Sequence, residues 1–257
     1  MKVGNAPLYT VLGMNLIPQT STFFHAMALT SDIALGVDES KPTTFRLFNV
    51  KTVVAPVSLR GNIPGFLVPR ADTAAFLILD APGGGYFDVV DVRAAVPTDR
   101  TSFYDVNHRW LASDWPEHAQ HLCLDFDGRC TPVLPRIRTN DVLSRSESPP
   151  VAGTVIAERQ EGEVYRAEVE ASRPSWVLFK MTWHPNWKVW IDDAPEPTMM
   201  LSPGFTGVSI PAGRHRVVCR YEPGWWKVTL ALFGLMIAAA AIFVERLTGR
   251  RTSGLPA

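Results

Sequence analysis

The stretch KMTWHPNWKVWIDD, residues 180–193, holds three of the chain's eight tryptophans within eight positions. In an extended chain, successive side chains point to opposite faces, so alternation separates the tryptophans into two sets. Two groups of apolar residues each share one strand face: Phe179, Met181 and Trp183 before the His-Pro-Asn break, and Trp187, Val189 and Ile191 after it. Because large aromatic side chains are usually buried, the stretch predicts two strands whose tryptophans belong mostly to a packed core.

Trp190 differs from the other two tryptophans because it shares the opposite strand face with Lys188 and Asp192. An exposed indole offers an apolar floor for a sugar ring, and a small pocket needs only a few polar groups at its edge. Trp190, His184 and Asp192 are therefore candidate substrate-binding residues for a sugar. The alternative is that Trp190 packs against a neighbouring membrane domain. Asp192 and Asp193 are expected to form a turn.

Alternating runs continue through the second half of the chain. They are GEVYRAEVEAS (162–172), SWVLFKMTW (175–183), WKVWIDD (187–193), TGVSIPAG (206–213) and RHRVVCRYEP (214–223). Short strands separated by turn residues are typical of antiparallel sandwiches. We therefore expect a β-sandwich domain over residues 154–224.

The first half of the chain mixes strands with a helix. Three apolar runs predict strands: FRLFNVKTVVAPV (45–57), AAFLILDA (74–81) and YFDVVDVRAAV (86–96). Phe103, Val106 and Trp110 recur at helical spacing after a cap at Thr98 or Asp99. We expect a small α+β domain with an N-terminal helical segment over residues 1–131, followed by a linker or crossing segment at 132–153.

The composition narrows the class of protein. Lys+Arg and Asp+Glu number 25 each, which argues against a strongly basic surface for nucleic acid. The 21 prolines and 18 glycines favour short strands and many turns over a helical bundle. We expect neither a nucleic-acid partner nor a cofactor.

An uncharged apolar segment of 17 residues, VTLALFGLMIAAAAIFV, occupies positions 228–244. As a helix it is roughly 26 Å long, close to the thickness of the hydrocarbon core of a bilayer. Trp225 and Trp226 precede it, and Arg246, Arg250 and Arg251 follow it. This pattern favours a transmembrane helix at 225–246 with a cytoplasmic tail at 247–257, which places the preceding domains outside the cell. A buried core helix is the alternative.

Cys123 and Cys130 flank LDFDG, in which Asp127-Gly128 is a hairpin signal. A hairpin brings the thiols into disulfide range if they lie opposite one another, and such a bond persists only in an oxidising compartment. We interpret the Asp-x-Asp within this stretch as part of a turn. A metal site is the alternative interpretation, but we do not expect one. His118 and His121 lack a third ligand, so we expect them at the surface.

A family resemblance rests on the tail of the chain. WHPNWKVWIDD (183–193), then GFTGVSIPAGRHRVVCRYEPGWW (204–226) and an apolar helix, resemble the C-terminal end of YfhO-like bacterial membrane proteins, which are polytopic and related to GT-C glycosyltransferases. RLFNVKTVVAP (46–56) and FLVPRADTAAFLI (66–78) resemble upstream segments of that family in the same order. Asp193 stands where the family often has Gly, which makes the turn less tight.

The resemblance implies a non-catalytic extracytoplasmic module that acts in the transfer of sugars from a lipid carrier to cell-envelope glycan. Its implied partners are the lipid bilayer, a polytopic membrane domain or subunit, and a glycan. The membrane helices that carry the catalytic loop of a GT-C enzyme are not in this sequence, so the resemblance assigns catalysis to none of its residues. The alternative function is a stand-alone membrane-anchored binding or scaffold protein without transferase activity.

Overall fold

The structure is a computed structural model that describes residues 38–130, 134–138, 151–224 and 226–252. Within these ranges, thirteen strands form three sheets, and helices are few. Almost every pair of neighbouring strands is antiparallel. The prediction of a mainly β fold with antiparallel sheets and a minor helical part is confirmed.

The described elements have the following bounds. The helices are α1 (Pro42–Leu47), α2 (Ser102–Ala112) and α3 (Trp226–Thr252), with 3₁₀ turns at Val57–Asn62 and Trp115–His118. The strands are β1 (Thr52–Pro56), β2 (Val68–Asp72), β3 (Phe76–Asp80), β4 (Phe87–Pro97), β5 (Gln120–Asp125), β6 (Gly153–Glu161), β7 (Val164–Ala171), β8 (Ser175–Thr182), β9 (Trp187–Ile191), β10 (Ala194–Glu196), β11 (Met199–Leu201), β12 (Phe205–Ile210) and β13 (Gly213–Tyr221).

A five-stranded sheet in the order β11-β12-β8-β4-β5 closes on itself through the pair Leu201 and Cys123. Its strands β4 and β5 precede residues 132–153, whereas β8, β11 and β12 follow them. One continuous sheet therefore spans the expected boundary between an α+β domain and a sandwich. The described part of the compact unit likewise runs on to Arg220 without a division at 132–153. The difference arises because strand pairing joins segments that are distant in sequence.

Helix α2 packs on the core of the closed sheet, as its spacing predicts. Phe103, Val106 and Trp110 are all buried. Its N-terminus is held by Asp99, whose Oδ1 accepts hydrogen bonds from the backbone N–H of Thr101 and of Ser102 at 2.9 and 2.7 Å. The predicted helix is thus confirmed, with Asp99 in the capping role.

The second five-stranded sheet has the order β10-β9-β13-β7-β6. Inward and outward residues alternate along β7 and β9, and Trp187, Val189 and Ile191 are buried. Phe179 of β8 meets the Trp187 ring at 4.9 Å between centroids, and Tyr165 of β7 lies 5.0 Å from the Phe179 ring. These rings join the second sheet to the closed sheet, so the predicted aromatic core is confirmed for Trp187. Trp183 is only half-buried.

The third sheet, β1-β3-β2, corrects one predicted strand. Residues 45–57 were expected to form one buried strand, but the structure has helix α1 over 42–47 and β1 over 52–56. Pro42 suits the first turn of a helix, and Asn49 has a φ of 51° that separates the two elements. A short apolar run does not distinguish strand from helix by periodicity alone, which explains the error.

Helix α3 belongs to a second compact unit, residues 221–257. Its described side chains run from Thr229 to Glu245. Nine large apolar residues among them are exposed: Leu230, Leu232, Phe233, Leu235, Met236, Ile237, Ile242, Phe243 and Val244. Among the residues that the structure describes, no helix combines the length and the hydropathy that a membrane span requires.

Candidate functional site

The turn between β9 and β10 is the centre of the candidate site. Ile191 pairs with Ala194, so the turn consists of two residues, Asp192 and Asp193. Both have positive φ, at 50° and 70°. Positive φ at both central positions defines the type I′ turn, which matches the twist of a β-hairpin. The expected turn at Asp192-Asp193 is therefore confirmed.

Asp192 ties this turn to β13. Its Oδ1 accepts a hydrogen bond from the backbone N–H of Arg216 at 2.8 Å, and its Oδ2 lies 2.7 Å from Nδ1 of His215. Its own N–H donates to the Arg216 carbonyl at 2.9 Å. The Arg216 N–H, followed by His215, lowers the pKa of Asp192 because both bonds stabilise the ionised carboxylate. Both oxygens of Asp192 thus have partners within the protein.

We call the charged residues around this turn the turn cluster; they are Glu168, Asp192, Asp193, Arg214, His215 and Arg216, which line a shallow depression of about 340 Å³. Arg214 Nη2 lies 2.6 Å from Glu168 Oε2, and Arg216 forms an ion pair with Asp193. His215 Nε2 is buried and has no hydrogen-bond partner in the described part of the chain. Because most charges are paired within the cluster, it has no strong preference for an anionic or a cationic ligand.

Trp190 lies on the outward face of β9 and is half-buried, whereas Asp192 lies in the turn that follows the strand. The guanidinium carbon of Arg220 stands 5.3 Å from the centroid of its ring. This distance fits a cation–π interaction, which is stabilising at partly exposed sites. A sugar that stacked on this side of the indole would have to displace Arg220. The structure thus gives Trp190 a protein partner at the position where the sequence predicted a ligand.

His184 occupies the loop before β9, where its Nδ1 accepts a hydrogen bond from the Asn186 N–H at 3.1 Å. Of the three predicted residues, Asp192 lies in the turn after β9, Trp190 lies in β9 itself, and His184 lies in the loop before it. The residues that contact the first two, His215 and Arg220, were missed by sequence reasoning. A local pattern contains no signal for them, because β13 meets β9 only through long-range pairing.

Cys123 and Cys130 are joined by a disulfide, with their Cα atoms 6.2 Å apart. Between them, Asp127 forms an ion pair with Arg129 at 2.6 Å, and Gly128 has a φ of 80°. No group of three or more potential metal ligands occurs among the described residues. Asp125 is the last residue of β5, and Asp127 lies in the segment that the disulfide closes.

His121 corrects another expectation, because it is buried rather than at the surface. It is only 2% exposed, and its Nδ1 lies 2.7 Å from the carbonyl oxygen of Ser202. Its ring packs 5.0 Å from that of Trp110. Burial disfavours the charged imidazole and lowers the pKa of His121 to about 4. The error arises because β5 is buried on both faces, so alternation predicts nothing about it.

Lys180 is a second buried polar residue that the sequence did not reveal. Its side chain is 1% exposed, and its Nζ lies 2.7 Å from Asp88 Oδ2 and donates to the Arg46 carbonyl at 3.0 Å. A Cβ on Gly84 would lie 2.8 Å from the same nitrogen. Lys180 therefore ties the end of α1 to strands β4 and β8 of the closed sheet, and the lack of a side chain at Gly84 leaves room for its ammonium.

Comparison with known proteins adds no further information about these residues. The sequence matches no family model, and no curated protein matches it significantly.

Proposed function

We propose that the chain is a non-catalytic extracytoplasmic module of a YfhO-like, GT-C-related membrane protein and acts in the transfer of sugars from a lipid carrier to cell-envelope glycan. The observation that carries the proposal is the apolar surface of α3, on which nine large apolar side chains are exposed. Their positions surround the helix, and a helix that is apolar all round belongs in a protein core or in lipid. A bilayer is the environment that covers such a surface without another protein.

The disulfide between Cys123 and Cys130 supports the extracytoplasmic side. Structural disulfides form and persist in oxidising compartments and are rare in the cytosol. A module outside the cell with its C-terminal tail inside also agrees with the arginines at 246, 250 and 251. The tail motif of residues 183–226 supports the YfhO-like assignment.

In this proposal, the face of β9 that carries Trp190 packs against a polytopic membrane domain. Arg220 already covers one side of the Trp190 ring, and the turn cluster is balanced by its own ion pairs. A half-buried aromatic residue beside an arginine is typical of protein–protein contact surfaces. The role proposed for this face is therefore docking rather than chemistry.

Topology tests the proposal directly. A cysteine added after Ala257 should not react with a membrane-impermeant thiol reagent in intact cells and should react after lysis. Glu163→Cys, in the exposed turn between β6 and β7, is the matched control and should react in intact cells. The native free thiol, Cys219, is buried and does not interfere. Reaction of the C-terminal cysteine in intact cells would overturn the proposed orientation.

A further inference from the structure

We propose that a cavity beside Lys41 and Glu117 binds a sugar unit and prefers amine-bearing sugars to acidic ones. The cavity has a volume of about 250 Å³ and lies between α1, the C-terminal end of α2 and the 3₁₀ turn Trp115–His118. The inference rests on the proposed function and deepens it, because it names the class of glycan that the module recognises.

The size and lining of the cavity suit one sugar unit. Pockets for drug-sized ligands measure roughly 300–1,000 Å³, so this cavity fits a smaller molecule. Leu47 is buried, Leu111 is half-buried, and together they provide an apolar floor. Thr43 contributes a hydroxyl group to the same lining, whereas the Ser113 hydroxyl already donates to the Trp110 carbonyl at 2.6 Å. An apolar floor with a few polar groups complements the C–H face and the hydroxyl edge of a sugar ring.

The charge around the cavity favours a cationic group on the ligand. Lys41 Nζ donates to Glu117 Oε1 at 2.7 Å. Glu117 first, and then Asp38 and Asp114, raise the pKa of Lys41, because each carboxylate stabilises the ammonium. Two carboxylates, Asp38 and Glu117, line the cavity together with the single ammonium of Lys41. This excess of negative charge attracts the ammonium of an amino sugar and repels the carboxylate of a uronic acid.

Glu117 is the residue best placed to discriminate between these ligands. Its side chain is 43% exposed and that of Lys41 is 42% exposed, so both can be reached from solvent. A carboxylate is an acceptor for sugar hydroxyls and for an ammonium alike, and bonds to charged groups are the stronger ones. Trp190, whose ring is covered by Arg220, is not needed for this site.

The test is a titration of the full chain in detergent micelles with glucosamine, glucose and glucuronate, followed by ligand-observed NMR. We expect glucosamine to bind most tightly and glucuronate most weakly. Glu117→Gln should weaken glucosamine binding on the order of tenfold, the size of one charge-assisted hydrogen bond. Glu163→Gln removes an exposed carboxylate from a distant turn and should leave the affinity unchanged. Thermal melts of both variants should match that of the wild type.

The other outcomes overturn the inference in distinguishable ways. Tighter binding of glucuronate than of glucosamine contradicts the charge argument, and saturable binding of none of the three sugars removes the site. Glucosamine binding that is unchanged in Glu117→Gln places the sugar elsewhere and leaves the proposed function intact. Reaction of the C-terminal cysteine in intact cells overturns the proposed function whatever the titrations give.

Discussion

Single buried polar residues give the interior of the closed sheet its sensitivity to pH and to substitution. His121 is buried against Trp110, and Lys180 is buried between Asp88 and the Arg46 carbonyl. Buried polar groups are tolerated when their hydrogen bonds are made, and removal of one partner leaves the other unsatisfied. Among single residues, His121 gives the clearest prediction, because its imidazole changes charge within the pH range in which unfolding can be measured.

Stability should fall as the pH drops from about 6.5 towards 4. In the unfolded chain the pKa of His121 has its ordinary value. In the folded protein the pKa is lowered to about 4, because burial of the ring disfavours the charged imidazole. The stabilisation is therefore complete above pH 6.5 and is lost on acidification, at about 1.4 kcal/mol per pH unit and about 3 kcal/mol in total. Urea unfolding of the full chain between pH 5 and 7 measures this slope. His121→Gln should flatten it and His184→Gln should not; equal slopes in all three proteins would contradict the prediction.

Two adjacent residues of the second sheet, Asp192 and Asp193, differ in what they contribute to its stability. Asp192 and Asp193 share the turn between β9 and β10, but only Asp192 bonds to the backbone of β13. Along β9 itself, Trp187 faces the core and Trp190 faces outward beside Arg220. Neighbouring substitutions should therefore have very different consequences for stability.

Asp193→Gly should stabilise the protein by about 0.5–1 kcal/mol. The φ of 70° at Asp193 costs little for glycine, and the ion pair with Arg216 that is lost is exposed and weak. Asp192→Gly relieves the same kind of backbone conformation but removes the bonds to Arg216 and His215, so it should destabilise by about 1–2 kcal/mol. Thermal melts of the two variants give the comparison. A stabilising change in Asp192→Gly would mean that the side chain of Asp192 does not lock the turn, and a destabilising change in Asp193→Gly would contradict the argument from its φ.

Trp187→Ala should cost about 3–5 kcal/mol, because the Trp187 ring is 8% exposed and packs against Phe179 and Tyr165. Trp190→Ala should cost about 1 kcal/mol, since the ring is half-buried and loses mainly its contact with Arg220. Denaturant titrations of both variants measure the two costs. A larger cost for Trp190→Ala would reverse the assignment of faces along β9.

On the scale of the whole molecule, the closed sheet makes the two halves of the chain depend on each other. Residues 154–222 alone lack β4, which pairs with β8, and β5, which pairs with β11. Trp176 and Leu178 would then lose much of their cover. We expect this fragment to lack a cooperative thermal transition by circular dichroism, whereas residues 38–222 should show one. A cooperative transition in the shorter fragment would show that residues 154–222 fold as an independent sandwich domain.

Local sequence patterns predicted a substantial part of this fold. Alternation in residues 164–171 and 187–191 identified which side chains are buried, and the turn at Asp192-Asp193 and helix α2 followed from short-range signals. These features depend on residues within a few positions of one another, where side-chain direction and backbone preference are set by the chain itself.

The features of the fold that local patterns did not predict depend on pairing between strands that are distant in sequence. Residues 86–96 are recognisable as a strand, but nothing in them shows that β4 lies between β5 and β8. The burial of His121, the partners of Asp192 and the cover on Trp190 all depend on strands that meet from far apart in the chain. Periodicity reports which face of a strand is apolar and does not report which strand covers it, so these contacts exist only once the sheets have formed.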